Sequence, residues 1–214
     1  MDEDIAVVND NTRKQKIINF FVKNTKKLII TFSVIILIIF GYFIYEDFQK
    51  KNKIKLANRY NLATIKFTSE DKNKFKKELI AIVNEKDRTY SPLALYFLID
   101  NNIISENKKI NELFNIVINE TSLEKEIKNL VIYKKALFNS DFESENNLIK
   151  MLNPIINSDS VWKSHALYLM AEYFYYKNQR QKSKEFFNQI LTLENSNQNI
   201  KIEAQKRLNR DFSD

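Results

Sequence analysis

The chain has 214 residues, with 34 Lys/Arg against 27 Asp/Glu, no Cys, one Gly and two Pro. The absence of Cys excludes disulfides, thiol nucleophiles and thiolate metal sites. A single Gly leaves little material for phosphate-cradling loops, dinucleotide fingerprints or tightly turned sheets, so an all-α chain is expected.

The net charge of +7 is not spread over a folded face. Residues 1–27 hold six Lys/Arg and four Asp/Glu, and residues 46–59 hold five and two, which leaves a near-balanced 23 and 21 in residues 60–214. A basic face on a folded domain is the footprint of nucleic-acid binding. Its lack here predicts no nucleic-acid partner.

Residues 1–27 read as a tail ending in a basic amphipathic segment. Met1 to Thr12 is acidic and unpatterned, which predicts disorder. From Arg13 to Lys27, Ile17, Ile18, Phe21 and Val22 share one side between flanking cations, suiting a helix at a membrane surface. Residues 28–45, LIITFSVIILIIFGYFIY, form 18 uncharged positions. As a helix they reach about 27 Å, close to the ~30 Å hydrocarbon layer of a bilayer. A retained transmembrane anchor is the expectation: a cleaved signal peptide has a shorter apolar region and a small-residue cleavage site, and none follows here. Lys23, Lys26 and Lys27 before the stretch, and Lys50, Lys51, Lys53 and Lys55 after it, suit anionic headgroups. With six cations before the span and five after it, charge bias only slightly favours a cytoplasmic N-terminus.

Residues 46–68 continue without a breaker as a juxtamembrane helix, on which Ala57, Tyr60, Thr64 and Phe67 recur at helical spacing. Residues 69–214 then read as short helices with polar joints. Phe75, Leu79, Ile82 and Val83 mark one over Lys72–Asn84, and Ser91-Pro92 opens the next. Ile110, Leu113, Phe114 and Val117 mark another, followed by Leu123, Ile127, Leu130, Val131, Lys134 and Leu137. Leu148, Leu152 and Ile155 mark a further helix that Pro154 is expected to kink or end. The last three are expected over roughly 160–177, 180–193 and 199–209. Paired helices at this spacing predict an α-solenoid, in which each hairpin buries its apolar face only against its neighbours.

One pair carries more than periodicity. From Leu167 to Asn195 the chain resembles a tetratricopeptide repeat. Leu167 stands at the bulky first-helix site, Met170 and Ala171 at the Leu-Gly pair, and Phe174 at the aromatic site. Asn178 stands at the turn Gly, Ser183 at the small second-helix site and Phe187 at its aromatic. Ile190, where a small residue is usual, and Asn195, where Pro often ends the repeat, depart from the pattern.

The layout of acidic tail, basic amphipathic stretch, single span, juxtamembrane helix and repeat-like helices resembles the ancillary SecYEG translocon subunit family of Gram-negative bacteria. The specific likeness lies in the anchor with its flanks and in residues 162–193. That resemblance implies an inner-membrane, single-pass protein with a cytoplasmic N-terminus and a periplasmic helical domain. It also implies translocon subunits or periplasmic chaperones as partners, and unfolded or extended polypeptides as clients. An anchored scaffold for another envelope complex, in division or outer-membrane assembly, is the alternative.

No catalytic constellation, cofactor site or metal site is expected; the resemblance implies a non-enzymatic adaptor, with an enzyme or an enzyme's regulatory subunit as the third reading. His165 lacks a partner to fix its proton, and the pairs Glu124/Glu126 and Glu143/Glu145 read as solvated faces. On the helix from Trp162 to Lys177, Leu167, Met170, Ala171 and Phe174 form a core stripe. His165, Tyr168, Glu172, Tyr175 and Tyr176 form a second stripe beside it. In tetratricopeptide repeats that second stripe faces a groove, so the resemblance implies a peptide-binding surface; packing against the next hairpin is the other reading.

Overall fold

The computed structural model describes the backbone of residues 2–67 and 72–212, and side chains other than those of residues 2–13, 17 and 72. Every element among the described residues is helical, as composition predicts. The helices are α1 (Asp2–Lys66), α2 (Lys72–Asn84), α3 (Tyr90–Asp100), α4 (Asn107–Glu120), α5 (Lys125–Asn139), α6 (Glu145–Ile156), α7 (Lys163–Tyr176), α8 (Arg180–Thr192) and α9 (Gln198–Asp211). The chain forms two compact units, Met1–Lys55 and Leu56–Asp214. The expected boundary at 68/69 lies outside the described residues.

The first unit holds α1 as far as Lys55, and the last turns of α1 belong to the second. No break separates the segment expected to be a disordered tail, the surface segment and the apolar stretch: from Asp2 onward the backbone is one helix, there being no Pro or Gly before Gly41 to interrupt it. Within Lys14–Lys66 lies an apolar window long enough to cross a membrane, none of which is buried within the protein. A membrane anchor and a signal sequence both have this character. The helix satisfies its own polar side chains: Thr31 Oγ1 donates to the Lys27 carbonyl at 2.9 Å, and Thr25 Oγ1 to that of Phe21 at 2.7 Å. Among the described residues of this unit the large apolar side chains, from Ile29 through Tyr45, are all exposed. They require a covering that water does not supply.

In the second unit, the eight helices after α1 pack mainly on their sequence neighbours, with α2 on α4, α5 on α7 and α7 on α9 as next-but-one contacts, while the end of α1 joins the first apolar cluster through Leu56 and Ala63. This arrangement is consistent with a helical-repeat domain. The apolar interior forms three successive clusters. Leu79, Leu95, Leu113 and Phe114 anchor the first, Leu148, Leu152, Met170 and Phe174 the second, and Leu167, Ala171, Phe187 and Ile190 the third. Ile132 touches both of the first two, and Ile156 and Phe186 touch both of the last two.

Polar joints fix the angles between hairpins. Ser91 Oγ donates to the Ile82 carbonyl at 2.9 Å, closing α3 onto α2. Asn111 and Asn139 exchange amide bonds at 2.8 and 2.9 Å between α4 and α5, with Asn139 buried. Glu126, expected on a solvated face, instead accepts from Ser160 Oγ at 2.8 Å and Val161 N at 3.1 Å, tying α5 to the turn before α7. Glu145 likewise pairs with Lys182 of α8 at 2.8 Å. Pro154 sits in the last turn of α6, which ends two residues later.

Among the described residues, three take left-handed backbone at helix ends: Lys86 (φ 56), Asn102 (φ 50) and Asn178 (φ 58). At Asn178 the turn closes with Gln179 N donating to the Phe174 carbonyl at 2.9 Å and Asn178 N to that of Tyr175 at 3.0 Å. Asn tolerates this conformation; Lys is strained in it by about 1–2 kcal/mol. Lys86 also pairs with Glu120 at 2.7 Å, but both side chains are about half exposed, so the pair contributes less than about 0.5 kcal/mol. Lys86→Gly is therefore expected to raise unfolding stability by about 0.5–1 kcal/mol. A urea midpoint unchanged or lowered would refute this.

Candidate functional site: the stripe on α7

The helix α7 is the most deeply buried segment of the second unit, and α8 is folded tightly against it. Leu167, Met170, Ala171 and Phe174 are all buried, as are Ser183 and Phe187 of α8. Small side chains at Ala171 and Ser183 bring the two helices close enough for Ser183 Oγ to donate to the Ala171 carbonyl at 2.8 Å. Asn178 makes the turn between them. Together these positions pack α7 against α8 and leave its remaining faces to other elements.

The five residues of the second stripe divide three ways. His165 belongs to an aromatic cluster with Trp162 at 5.0 Å and Tyr133 of α5 at 5.8 Å between ring centroids. Its Nδ1 is buried without a hydrogen-bond partner. Tyr176 lies at the far end, 81% exposed. Tyr168, Glu172 and Tyr175 come together beneath α9.

Glu172 is the centre of that meeting. Arg207 of α9 donates from Nε and Nη2 to its two carboxylate oxygens at 2.6 and 2.7 Å, a bidentate fork. The third Arg207 nitrogen, Nη1, donates to Asp211, whose other oxygen accepts from Arg210 Nε at 2.9 Å. Arg207 and Asp211 have side chains only 12% and 11% exposed, but Glu172 is 35% and Arg210 67% exposed, so the charge cluster lies at the edge of the fold, partly open to water. The Arg207 guanidinium lies 4.4 Å from the centre of the Tyr175 ring, and Phe212 meets the same ring edge-on at 5.8 Å. Tyr168 packs edge-on against Phe187 at 5.5 Å. Burial, reinforced by the neighbouring Glu172 carboxylate, pushes the Tyr168 phenol up to about 12. It stays a neutral hydroxyl at any physiological pH. The Arg210 bond, with the Arg207 and Arg210 charges, holds the Asp211 carboxyl below the usual carboxylate range.

Arg207, Asp211 and Phe212 were not legible as site residues. The available signal was the Arg-x-x-x-Asp spacing on a helical segment, which by itself reads as an ordinary surface ion pair. Only the fold carries Arg207 to a carboxylate 35 positions earlier.

The burial that keeps His165 close to Trp162 and Tyr133 lowers its pKa below the ordinary imidazole value. The sign of the consequence follows directly. Above the unfolded-state value, about 6.5, both states are neutral and the stability is fully present; as pH falls, the unfolded chain takes up the proton first and stability is lost until the folded imidazole titrates too. His165→Phe is expected to remove this component of the acid limb. It should also stabilise the fold by up to about 1 kcal/mol at pH 7, because no buried acceptor is left unpaired. An unchanged acid limb in urea titrations between pH 7 and 5 would contradict that assignment.

Among the described residues, no three His, Asp or Glu side chains gather as a metal site. Comparisons with models of protein families, with curated proteins and with solved structures find no match to this chain. What the α7 stripe offers chemically is recognition: a carboxylate that takes a guanidinium fork, flanked by two tyrosines that supply apolar area with a polar tip.

Proposed function

We propose that this chain is a non-enzymatic, membrane-anchored helical-repeat adaptor, single-pass in the inner membrane, with its C-terminal domain in the periplasm and the Sec translocon as its assembly partner. The observation that carries the reading is the Leu28–Tyr45 stretch. Its apolar side chains find no cover within the protein, and a bilayer is the environment that removes them from water. The basic collars on either side fit headgroups. Joined to it is a domain of helical pairs, a construction that works by presenting extended surfaces to polypeptides. The choice of the translocon, and of client chains emerging from it, rests on the resemblance of the layout to the ancillary SecYEG translocon subunits.

The test has two readings. With a tag at Asp214, protease added to spheroplasts is expected to digest residues 60–214 while the inner membrane is intact. Copurification from mild detergent is expected to bring translocon subunits with the chain. A domain protected until lysis would place it in the cytoplasm and end the periplasmic assignment. Digestion from outside without translocon subunits in the purified complex would leave an anchored scaffold for another envelope assembly.

A further inference from the structure

The helix α9 meets the α7 stripe through few buried residues and one concentrated charged contact. Only Ala204 and Leu208 are buried on it, whereas α7 buries eight of its residues. Ile202 is exposed. Its N-terminal end is capped by Asn197, which accepts from Asn199 N and Ile200 N, and is tied to α7 by one bond, Asn197 N to Ser164 Oγ at 3.3 Å. Its other polar attachment to α7 is concentrated at the opposite end, where Arg207 fills the Glu172 carboxylate and Arg207 and Phe212 bracket the Tyr175 ring. Ala204 and Leu208 seat α9 on Leu167, Ala171, Phe187 and Ile190, and beside that small apolar seat the polar contact is bidentate and local, the way an amphipathic helix docks through an arginine anchor.

We infer that α9 is an intramolecular ligand of the α7 stripe, and that the partner this surface accepts is a helical segment bearing an arginine and, five residues on, an aromatic side chain, which displaces α9. This rests on the reading of the domain as an adaptor and supplies the chemistry of what it adapts to. The stripe reads two features. Glu172 demands a planar fork, which Lys cannot offer, and Tyr175 demands a ring edge beside that fork. A helix with few buried apolar contacts is also the segment of a domain that opens first. The surface is thereby kept covered until a better-matched sequence arrives.

The experiment uses the full chain in detergent micelles and a fluorescent peptide of residues 198–214 as the probe. Hydrogen exchange reports on α9, and fluorescence anisotropy on binding. The intact chain is expected to bind the probe weakly, because its own α9 competes at high local concentration. Arg207→Glu in the chain is expected to lose protection in α9 alone and to bind the probe about tenfold to a hundredfold more tightly, the range that loss of a charged hydrogen-bonded competitor implies. Glu172→Arg is expected to open α9 without gaining probe binding. Glu172→Arg combined with Arg207→Glu is expected to restore α9 protection. If Arg207→Glu also costs protection in α7 and α8, Arg207→Lys, which keeps the charge but not the fork, is read by the same criteria.

Either of two results overturns the inference: α9 staying protected in both Arg207 variants, or α9 opening with no gain in probe binding. The adaptor reading fails separately. If probe binding behaves as expected but no envelope partner copurifies, the self-ligand stands and the translocon assignment falls. If partners copurify equally with intact and Arg207→Glu chains, whose α9 stays protected, the adaptor stands and α9 is merely structural.

Discussion

Phe187→Ala is expected to destabilise the third apolar cluster by about 3–5 kcal/mol, the cost of truncating a fully buried aromatic side chain and leaving a cavity. Phe187 is wholly buried, and its ring supports Tyr168 at 5.5 Å, Phe212 at 6.0 Å and the Arg207 guanidinium at 5.8 Å. Its removal therefore takes away the floor on which both α7 and α9 sit. Because the clusters are joined in series, the loss should be regional. Hydrogen exchange is expected to show protection falling in α7, α8 and α9 while α2, α3 and α4 keep theirs. Phe114→Ala, equally buried in the first cluster, should produce the converse pattern. If both variants lower protection uniformly along residues 72–212, the domain unfolds as one unit and the regional picture is wrong.

Ile36→Arg together with Ile39→Arg is expected to expel the chain from the membrane. Each arginine near the centre of a span costs about 2.5–3.5 kcal/mol on insertion scales, so the pair adds about 6 kcal/mol against insertion. Both positions lie within the uncharged stretch. The control is Ile36→Leu with Ile39→Leu, which keeps the apolar character and should remain in the carbonate-resistant membrane fraction. Intact mass of the membrane-associated chain separates an anchor from a signal sequence: a retained anchor leaves the full 25.5 kDa chain, and a cleaved signal leaves a shorter one. Retention of the double-arginine variant in the membrane fraction would show that another element holds the protein there.

Helical periodicity located the elements well, and their packing poorly. The expectation of a helix over Lys72–Asn84 matches α2, and that of 180–193 differs from α8 by one residue. These helices have strong apolar faces, and periodicity reports such faces directly. The start of α7 was harder. Ser160 looks like a helix-initiating residue, but its hydroxyl is engaged by Glu126 and it accepts from Trp162 N at 3.2 Å, so the helix proper begins at Lys163. A serine that caps and a serine that bridges two hairpins look alike in one dimension. The Asn111–Asn139 exchange was invisible for a related reason: an amide on a helix reads as surface until a second amide faces it. Of the α7 stripe, the face was legible and its occupant was not. Tyr168, Glu172 and Tyr175 stood at helical spacing, but nothing local says that Arg207 returns to them.

The serial joining of the apolar clusters also determines how the domain would answer to force. Among the described residues, Ile132 bridges the first cluster and the second, and Ile156 and Phe186 bridge the second and the third. A load applied at the C-terminal end would meet two junctions in sequence instead of one shared resistance. The expected trace is a staircase, with α9 released at the smallest tension, then the α7–α8 hairpin, while the cluster nearest α1 still holds. A tether built this way yields by measured lengths and reseats when the pull relaxes.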